Sequence, residues 1–267
     1  MTSFPAISVV RPHSLGALLV LLSCLTPTGP AISAEGDPEA TELLRNVETR
    51  MRAETSTSVY RMELTRPDWN RTLRFRSHDD RKGHRSRLEI LEPRKSKGTL
   101  FLHIEDKLSM VLPKLRREFA ISPAMMLDPW MGSDFNNQDL LEVGALIEDY
   151  SHQIIAREAN REFSVITIES RPAPGSKVVW NRLVQRIRSD GLPLEVEYFD
   201  DGGRALRRLS FHDLKTFGDR EIPTRWTMVP LDKDGYQTVI IIEDITYDVK
   251  IPDSLFKDLV AKRTGSE

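Results

Sequence analysis

From Thr57 onward, apolar and polar residues alternate with a period of two. Tyr60, Met62 and Leu64 alternate with Val59, Arg61 and Glu63, Leu73 and Phe75 with Arg74 and Arg76, and Leu88 and Ile90 with Arg87 and Glu89. This is the signature of strands that bury one face. Further runs fit strands around 98–104, 107–112, 116–121, 150–157, 161–170, 182–189, 194–200, 205–214, 223–230 and 236–248. Turn chemistry separates them at Arg66-Pro67-Asp68, Asp79-Asp80, Lys97-Gly98, Asp200-Asp201-Gly202-Gly203 and Asp234-Gly235. At least eleven strands with short connections are too many for a flat open sheet. The pattern therefore predicts a strongly curved antiparallel sheet or partial barrel.

Two segments depart from that period. Asp37-Pro38-Glu39 combines an N-cap carboxylate, a proline at the first helical position and an acid in the first turn, and Leu43, Leu44, Val47 and Met51 then recur at helical spacing. One amphipathic helix over about 38–53 is expected. Residues 122–148 show no two-residue period and carry Met125, Met126, Leu127, Trp130, Met131 and Phe135 beside Pro123 and Pro129. A long connection of this kind inside a β domain is a lid, a plug or a binding loop. One reading is a helix that closes the open side of the sheet and touches no ligand. The other is contact with a greasy ligand, because three of the eight methionines fall within seven residues and flexible thioethers fit variable apolar shapes.

The residues ahead of this domain read as an export signal. Arg11 is the lone charge among residues 1–34, an apolar run spans Leu15–Leu25, and Ala31-Ile32-Ser33-Ala34 offers small residues for cleavage. The run is shorter than the ~18 residues of a spanning helix. The expected organisation is a signal peptide over 1–34 and one domain over 35–267, periplasmic after export. Cys24, the chain's single cysteine, sits in Leu21-Leu22-Ser23-Cys24. Either cleavage discards it or the motif is a lipobox that makes Cys24 a lipidated membrane anchor.

Charge adds an exclusion. Without residues 1–34 the chain keeps 37 basic and 40 acidic residues, a formal charge of −3, which argues against nucleic acid as a partner. The densest basic stretch, 71–87, is either the solvated face of a hairpin or a docking face for acidic lipid headgroups or an acidic partner domain. No catalytic set is legible. Gly132-Ser133-Asp134 lacks the spacing of a nucleophile elbow, and the histidines are scattered singly without metal-ligand spacing. No enzyme activity, metal or cofactor is expected, and a serine hydrolase using Ser133 is the weaker rival.

Several stretches together resemble the outer-membrane lipoprotein-sorting proteins, relatives of the Lol-type periplasmic carriers. They are Thr65 to Ser77 (TRPDWNRTLRFRS), Ile90-Leu91-Glu92-Pro93 leading to Lys97-Gly98-Thr99, Leu112-Pro113-Lys114-Leu115-Arg116-Arg117, Met131-Gly132-Ser133-Asp134-Phe135 with Asp139-Leu140, and Pro252-Asp253-Ser254-Leu255-Phe256. The resemblance implies a mainly β fold with helices (α+β): an incomplete antiparallel β-barrel of about eleven strands, with an N-terminal helix and a helical lid or plug. It also implies a monomeric carrier or acceptor that takes lipid or lipoprotein acyl chains between the inner and outer membranes, meeting an inner-membrane exporter or an outer-membrane acceptor. A lipid-sensing or exporter-accessory module is the alternative. Glu92-Pro93 stands where the best-studied carriers place an arginine before proline, so a mechanism resting on that arginine does not carry over. Combined with the strand phases, the expected lipid-lining residues are Leu73, Phe75, Leu88, Ile90, Leu100, Leu102, Met110, Met125, Met126, Trp130, Met131 and Phe135. A one-residue slip would exchange the faces of any strand.

Overall fold

The computed structural model describes residues 36–257 apart from 106, 141–145, 160, 161 and 177. The expected signal segment and Cys24 lie outside the described residues. Helix α1 (Pro38–Met51) starts as its sequence requires: the Asp37 side chain accepts from the Glu39 N–H at 2.9 Å, and Pro38 occupies the first turn. A short helix, α2 (Leu146–Asp149), precedes the second half.

The rest is one antiparallel sheet of thirteen strands. In chain order they are β1 (Thr55–Thr65), β2 (Asn70–Asp80), β3 (Arg85–Glu92), β4 (Leu100–Ile104), β5 (Lys107–Leu112), β6 (Arg117–Ala120), β7 (Tyr150–Ala159), β8 (Ser164–Pro172), β9 (Arg182–Arg188), β10 (Pro193–Phe199), β11 (Ala205–Phe217), β12 (Arg220–Pro230) and β13 (Gln237–Tyr247). Their spatial order is β6-β5-β4-β3-β2-β1-β13-β12-β11-β10-β9-β8-β7. The count exceeds the eleven that the resemblance implies, because the short β6 and each of the seven runs after residue 149 form full members of the sheet. The sheet curls without closing: β6 and β7 end the order at opposite edges.

The topology has a simple logic. The chain starts in the middle of the sheet, meanders outward from β1 to β6, crosses to the far edge at β7, and meanders back until β13 pairs with β1 from Ser56↔Tyr247 to Thr65↔Gln237. Every connection but one joins neighbouring strands. The exception, residues 121–149, must cross between the two free edges.

That crossing is not the single lid helix expected. Its described residues form successive 3-10 turns, Pro123–Met125, Trp130–Gly132 and Gln138–Leu140, followed by α2. Pro123 opens one turn and Pro129 caps the next, so each starts a separate turn, and Met131 and Gly132 take positive φ of 51° and 76°, outside the right-handed helical region. The main core lies inside the curl. Met62, Leu64, Leu73, Phe75 and Ile90 of the first half meet Leu183, Tyr198, Leu209 and Met228 of the second around Trp130 and Phe135. Helix α1 packs Ala40 and Leu44 on Ile166, Ile168 and Ile187 of β8 and β9.

Candidate functional site

The inward phase of the strands encloses a cavity of about 380 Å³, within the roughly 300–1,000 Å³ of ordinary ligand sites. Its walls are Tyr60 (β1), Phe75 (β2), Leu88 (β3), Phe101 (β4) and Leu108 (β5) on one side. Tyr198 (β10), Leu209 and Phe211 (β11), Trp226 (β12) and Ile240 and Ile242 (β13) form the other. Leu44, Val47 and Met51 of α1 and the crossing residues Trp130, Phe135 and Leu140 complete the lining. The aromatic rings interlock. Tyr60 stacks on Phe75 at 5.0 Å, and Trp130 presents edge-on geometry to Phe75 at 5.3 Å and Phe101 at 5.7 Å. Burial pushes the Tyr60 hydroxyl above its ordinary pKa, so it stays neutral within the wall.

A cluster of polar groups gathers at one side of the lining, with Asp139, Gln185 and Glu195 elsewhere in it. Arg52 donates to Asp79 at 2.6 Å and faces Glu48, which Arg81 also reaches at 3.2 Å; Ser56, Ser77, Ser86 and His103 complete this margin. Ser77, Ser86, Leu88 and His103 are half-exposed while lining the cavity. On the opposite wall Gln185 donates to the Ser170 hydroxyl at 2.8 Å, which lies 2.7 Å from Nδ1 of the fully buried His152. The Ile147 carbonyl lies 3.3 Å from Nε2, so both ring nitrogens sit within hydrogen-bond reach of a partner. The cavity is thus amphipathic: an apolar, aromatic body with a hydroxyl-rich and ion-paired margin.

Three arginines fasten the crossing at the strand ends that carry Thr65, Asn70 and Ala205. Arg66 pairs with Asp134 at 3.1 Å and donates to the Gly132 carbonyl at 3.0 Å, while Thr238 donates to Asp134 at 2.6 Å. Arg71 donates to the Met131 carbonyl. Burial and the neighbouring Arg66 lower its pKa below the usual arginine value. Arg207 grips Asp139 through two bonds of 2.5 and 2.7 Å, its guanidinium lying over Tyr198 at 4.1 Å and Trp180 at 4.3 Å. Gly132 takes a left-handed φ of 76°, which favours glycine, and a Cβ there would lie 2.9 Å from Nη2 of Arg71 and displace that guanidinium. Ser133, the residue of the hydrolase reading, is buried and donates its hydroxyl to the Trp130 carbonyl at 2.7 Å.

The residues expected to line a cavity fall into four groups. Phe75, Leu88, Trp130 and Phe135 line it. Leu73 and Ile90 are buried in the same core, with Met110 and Met131 packed against it, but none reaches the cavity surface. Leu100 and Leu102 face the other way and pack with Val111 in a separate cluster. Their strand reads Leu100-Phe101-Leu102 without alternation, and the inward phase belongs to Phe101 and His103. Met125 is 43% exposed and Met126 half-buried, so neither lines the cavity. The expected outer face of 71–87 is mixed. Arg74 pairs with Glu243, Arg85 with Asp80 and Asp253, and Arg87 with Glu89, whereas Arg71 turns inward to the crossing. Among the described residues no group of His, Cys, Asp and Glu is arranged to hold a metal ion, and no helix is long and apolar enough to cross a membrane.

Comparison with known proteins places this architecture. The chain is similar to the crystal structure of a DUF1329 family protein from Desulfovibrio piger, at 21% identity and a TM-score of 0.74 over 84% of this chain and 98% of that one. It is similar to a putative outer membrane lipoprotein-sorting protein domain from Vibrio parahaemolyticus, at 24% identity and 0.71 over 82% and 96%. A LolA superfamily protein from Nitrosomonas europaea gives 19% and 0.69 over 82% and 97%. No curated protein matches the chain. Residues 82–259 match a family model whose description reads "-like: Uncharacterized protein". The chain belongs to that family, and its fold is that of the LolA-like, lipoprotein-sorting proteins.

Proposed function

We propose that the protein is a carrier or acceptor that holds acyl chains of a lipid or lipoprotein in its cavity and passes them between the inner and outer membranes without covalent chemistry. The observation that carries this reading is the amphipathic cavity, enclosed by aromatic and aliphatic walls between α1 and a fastened crossing segment. An acyl chain gains about 0.8 kcal/mol for each methylene it buries, and the hydroxyls and ion pairs at the margin suit a polar headgroup left at the surface. In this reading residues 1–34 direct export, 35–267 form a single periplasmic lipid-binding domain acting as a monomer, and an inner-membrane exporter or outer-membrane acceptor is the counterpart. The relatives named for lipoprotein sorting support it.

The test is mass spectrometry of lipids extracted from the purified protein, with displacement of a fluorescent fatty acid as the quantitative arm. Leu88→Trp adds an indole at the half-exposed wall and is expected to weaken probe binding at least tenfold while β-rich circular dichroism is retained. Absence of extractable lipid together with no probe binding by the parent would reject the carrier reading. Intact mass of the exported protein decides between cleavage before Glu35 and acylation at Cys24, since acyl chains add mass that proteolysis cannot mimic.

A further inference from the structure

We propose that the tips of the β3–β4 and β5–β6 hairpins form a docking surface for an anionic phospholipid bilayer. The two turns emerge from the same end of adjacent strands, since Leu100 pairs with Val111 and Leu112 with Arg117, and Lys114 donates to the Arg94 carbonyl across them. Together they present Arg94, Lys95 and Lys97 on one tip and Lys114, Arg116 and Arg117 on the other, all exposed. Among the described residues none of these six makes an ion pair. In 71–87, by contrast, Arg74, Arg81, Arg85 and Arg87 are each matched by a carboxylate, and among the described residues Arg76 and Lys82 are not. A chain of negative formal charge therefore gathers six unmatched cations on these two tips.

Exposed apolar side chains stand among these cations. Leu115, at the centre of Lys114-Leu115-Arg116, is 63% exposed, and Phe119 on the edge strand β6 is 40% exposed. At the same strand ends, the β1–β2 turn holds Trp69, 46% exposed, over Arg66 and Arg71. Long cationic side chains around an isolated Leu and Trp are the composition of an interfacial membrane contact, in which the charges meet phosphate and the apolar tips enter the acyl boundary. A protein partner would call for a different surface, one with a contiguous apolar centre and few lysines. The arrangement also puts the bilayer beside the arginines that fasten the crossing segment.

The inference concerns docking and holds whether or not the cavity carries lipid. Its test is co-sedimentation of the purified protein with vesicles of phosphatidylcholine, alone and mixed with phosphatidylglycerol, at low and high salt. Binding to the anionic vesicles that falls as salt rises is expected. Lys95→Glu, Lys97→Glu and Arg116→Glu combined are expected to lower it at least about tenfold, and Leu115→Ser to lower the residue that survives at high salt, all with unchanged circular dichroism. Arg74→Gln with Arg76→Gln, on the outer face, is expected to leave it within about twofold. Leu88→Trp, which obstructs the cavity, is expected to dock normally, separating docking from lipid uptake. Equal binding to neutral and anionic vesicles, absence of binding, or full binding by the triple variant would overturn the proposal; capture of an acidic protein without vesicle binding would do the same.

Discussion

The fastening of the crossing segment can be measured at one pair. Arg207 and Asp139 have side chains only 7% and 11% exposed and share bonds of 2.5 and 2.7 Å. The guanidinium cannot swing into water, because Tyr198 and Trp180 flank it. Asp139→Ala removes the carboxylate from that buried cation, which keeps the Asp134 carbonyl at 3.3 Å among its partners. Breaking one side of a buried pair costs about 3–5 kcal/mol, which for a domain of this size lowers the thermal midpoint by about 6–20 °C. Arg207→Met alone should also destabilise, by taking the cation from Asp139, which keeps the Asn136 N–H at 2.7 Å. The double variant, with both charges removed, should recover most of the loss, since apolar replacement of a whole buried pair is often neutral. Denaturant and thermal unfolding followed by circular dichroism measure all three. A single-variant loss below about 1 kcal/mol, or a double variant equal to the sum of the singles, would show that the pair does not hold the segment.

Three further outcomes are expected. Trp130→Ala removes a 2% exposed indole wedged between Phe75 and Phe101 and should cost about 3–5 kcal/mol, read by urea unfolding. Burial and the neighbouring Tyr60 push the Tyr247 hydroxyl up to about 12. The unfolded chain then ionises first, so stability is full below pH 10 and falls as pH rises from 10 towards 12; Tyr247→Phe should flatten that decline. Burial, followed by Arg87 and Arg76, holds His78 below its ordinary 6.5, so the unfolded state binds the proton more readily. Stability should fall as pH drops through about 6.5, and His78→Gln should reduce that slope; identical slopes would remove His78 as the cause.

Sequence alone exposed the sheet but not the whole cavity, and individual strands show why. In β2 strict alternation puts Leu73 and Phe75 together against Arg74 and Arg76, so the inward phase is readable. In β4 three apolar residues run consecutively, and Leu100 and Leu102 are buried on the opposite side as completely as Phe101 on the inner one. Period carries no information there. Met125 and Met126 misled because composition says what a segment suits and not where tertiary contacts seat it. The fastening arginines did leave a signal. Arg66 follows Tyr60, Met62 and Leu64 in phase, Arg71 precedes Leu73 and Phe75, and Arg207 precedes Leu209 and Phe211. A charge that extends an inward apolar register by one step needs a buried partner, and the partners Asp134 and Asp139 sit in the one stretch without strand period.

The crossing from β6 to β7 has a consequence for the size of what the protein can hold. Among the described strands it alone bridges the two free edges of the sheet. As a slack chain it would let those edges drift far apart, since extended residues span about 3.3–3.6 Å each. Seating Trp130 and Phe135 in the core and clamping Asp134 and Asp139 fixes the middle of the crossing, residues 130–139, against strands of both halves of the sheet. In the carrier reading proposed above, a molecule too bulky for the space beneath that anchored stretch must first detach an ion pair or unseat an indole, so the clamps act as a calliper that sets an energetic ceiling on girth.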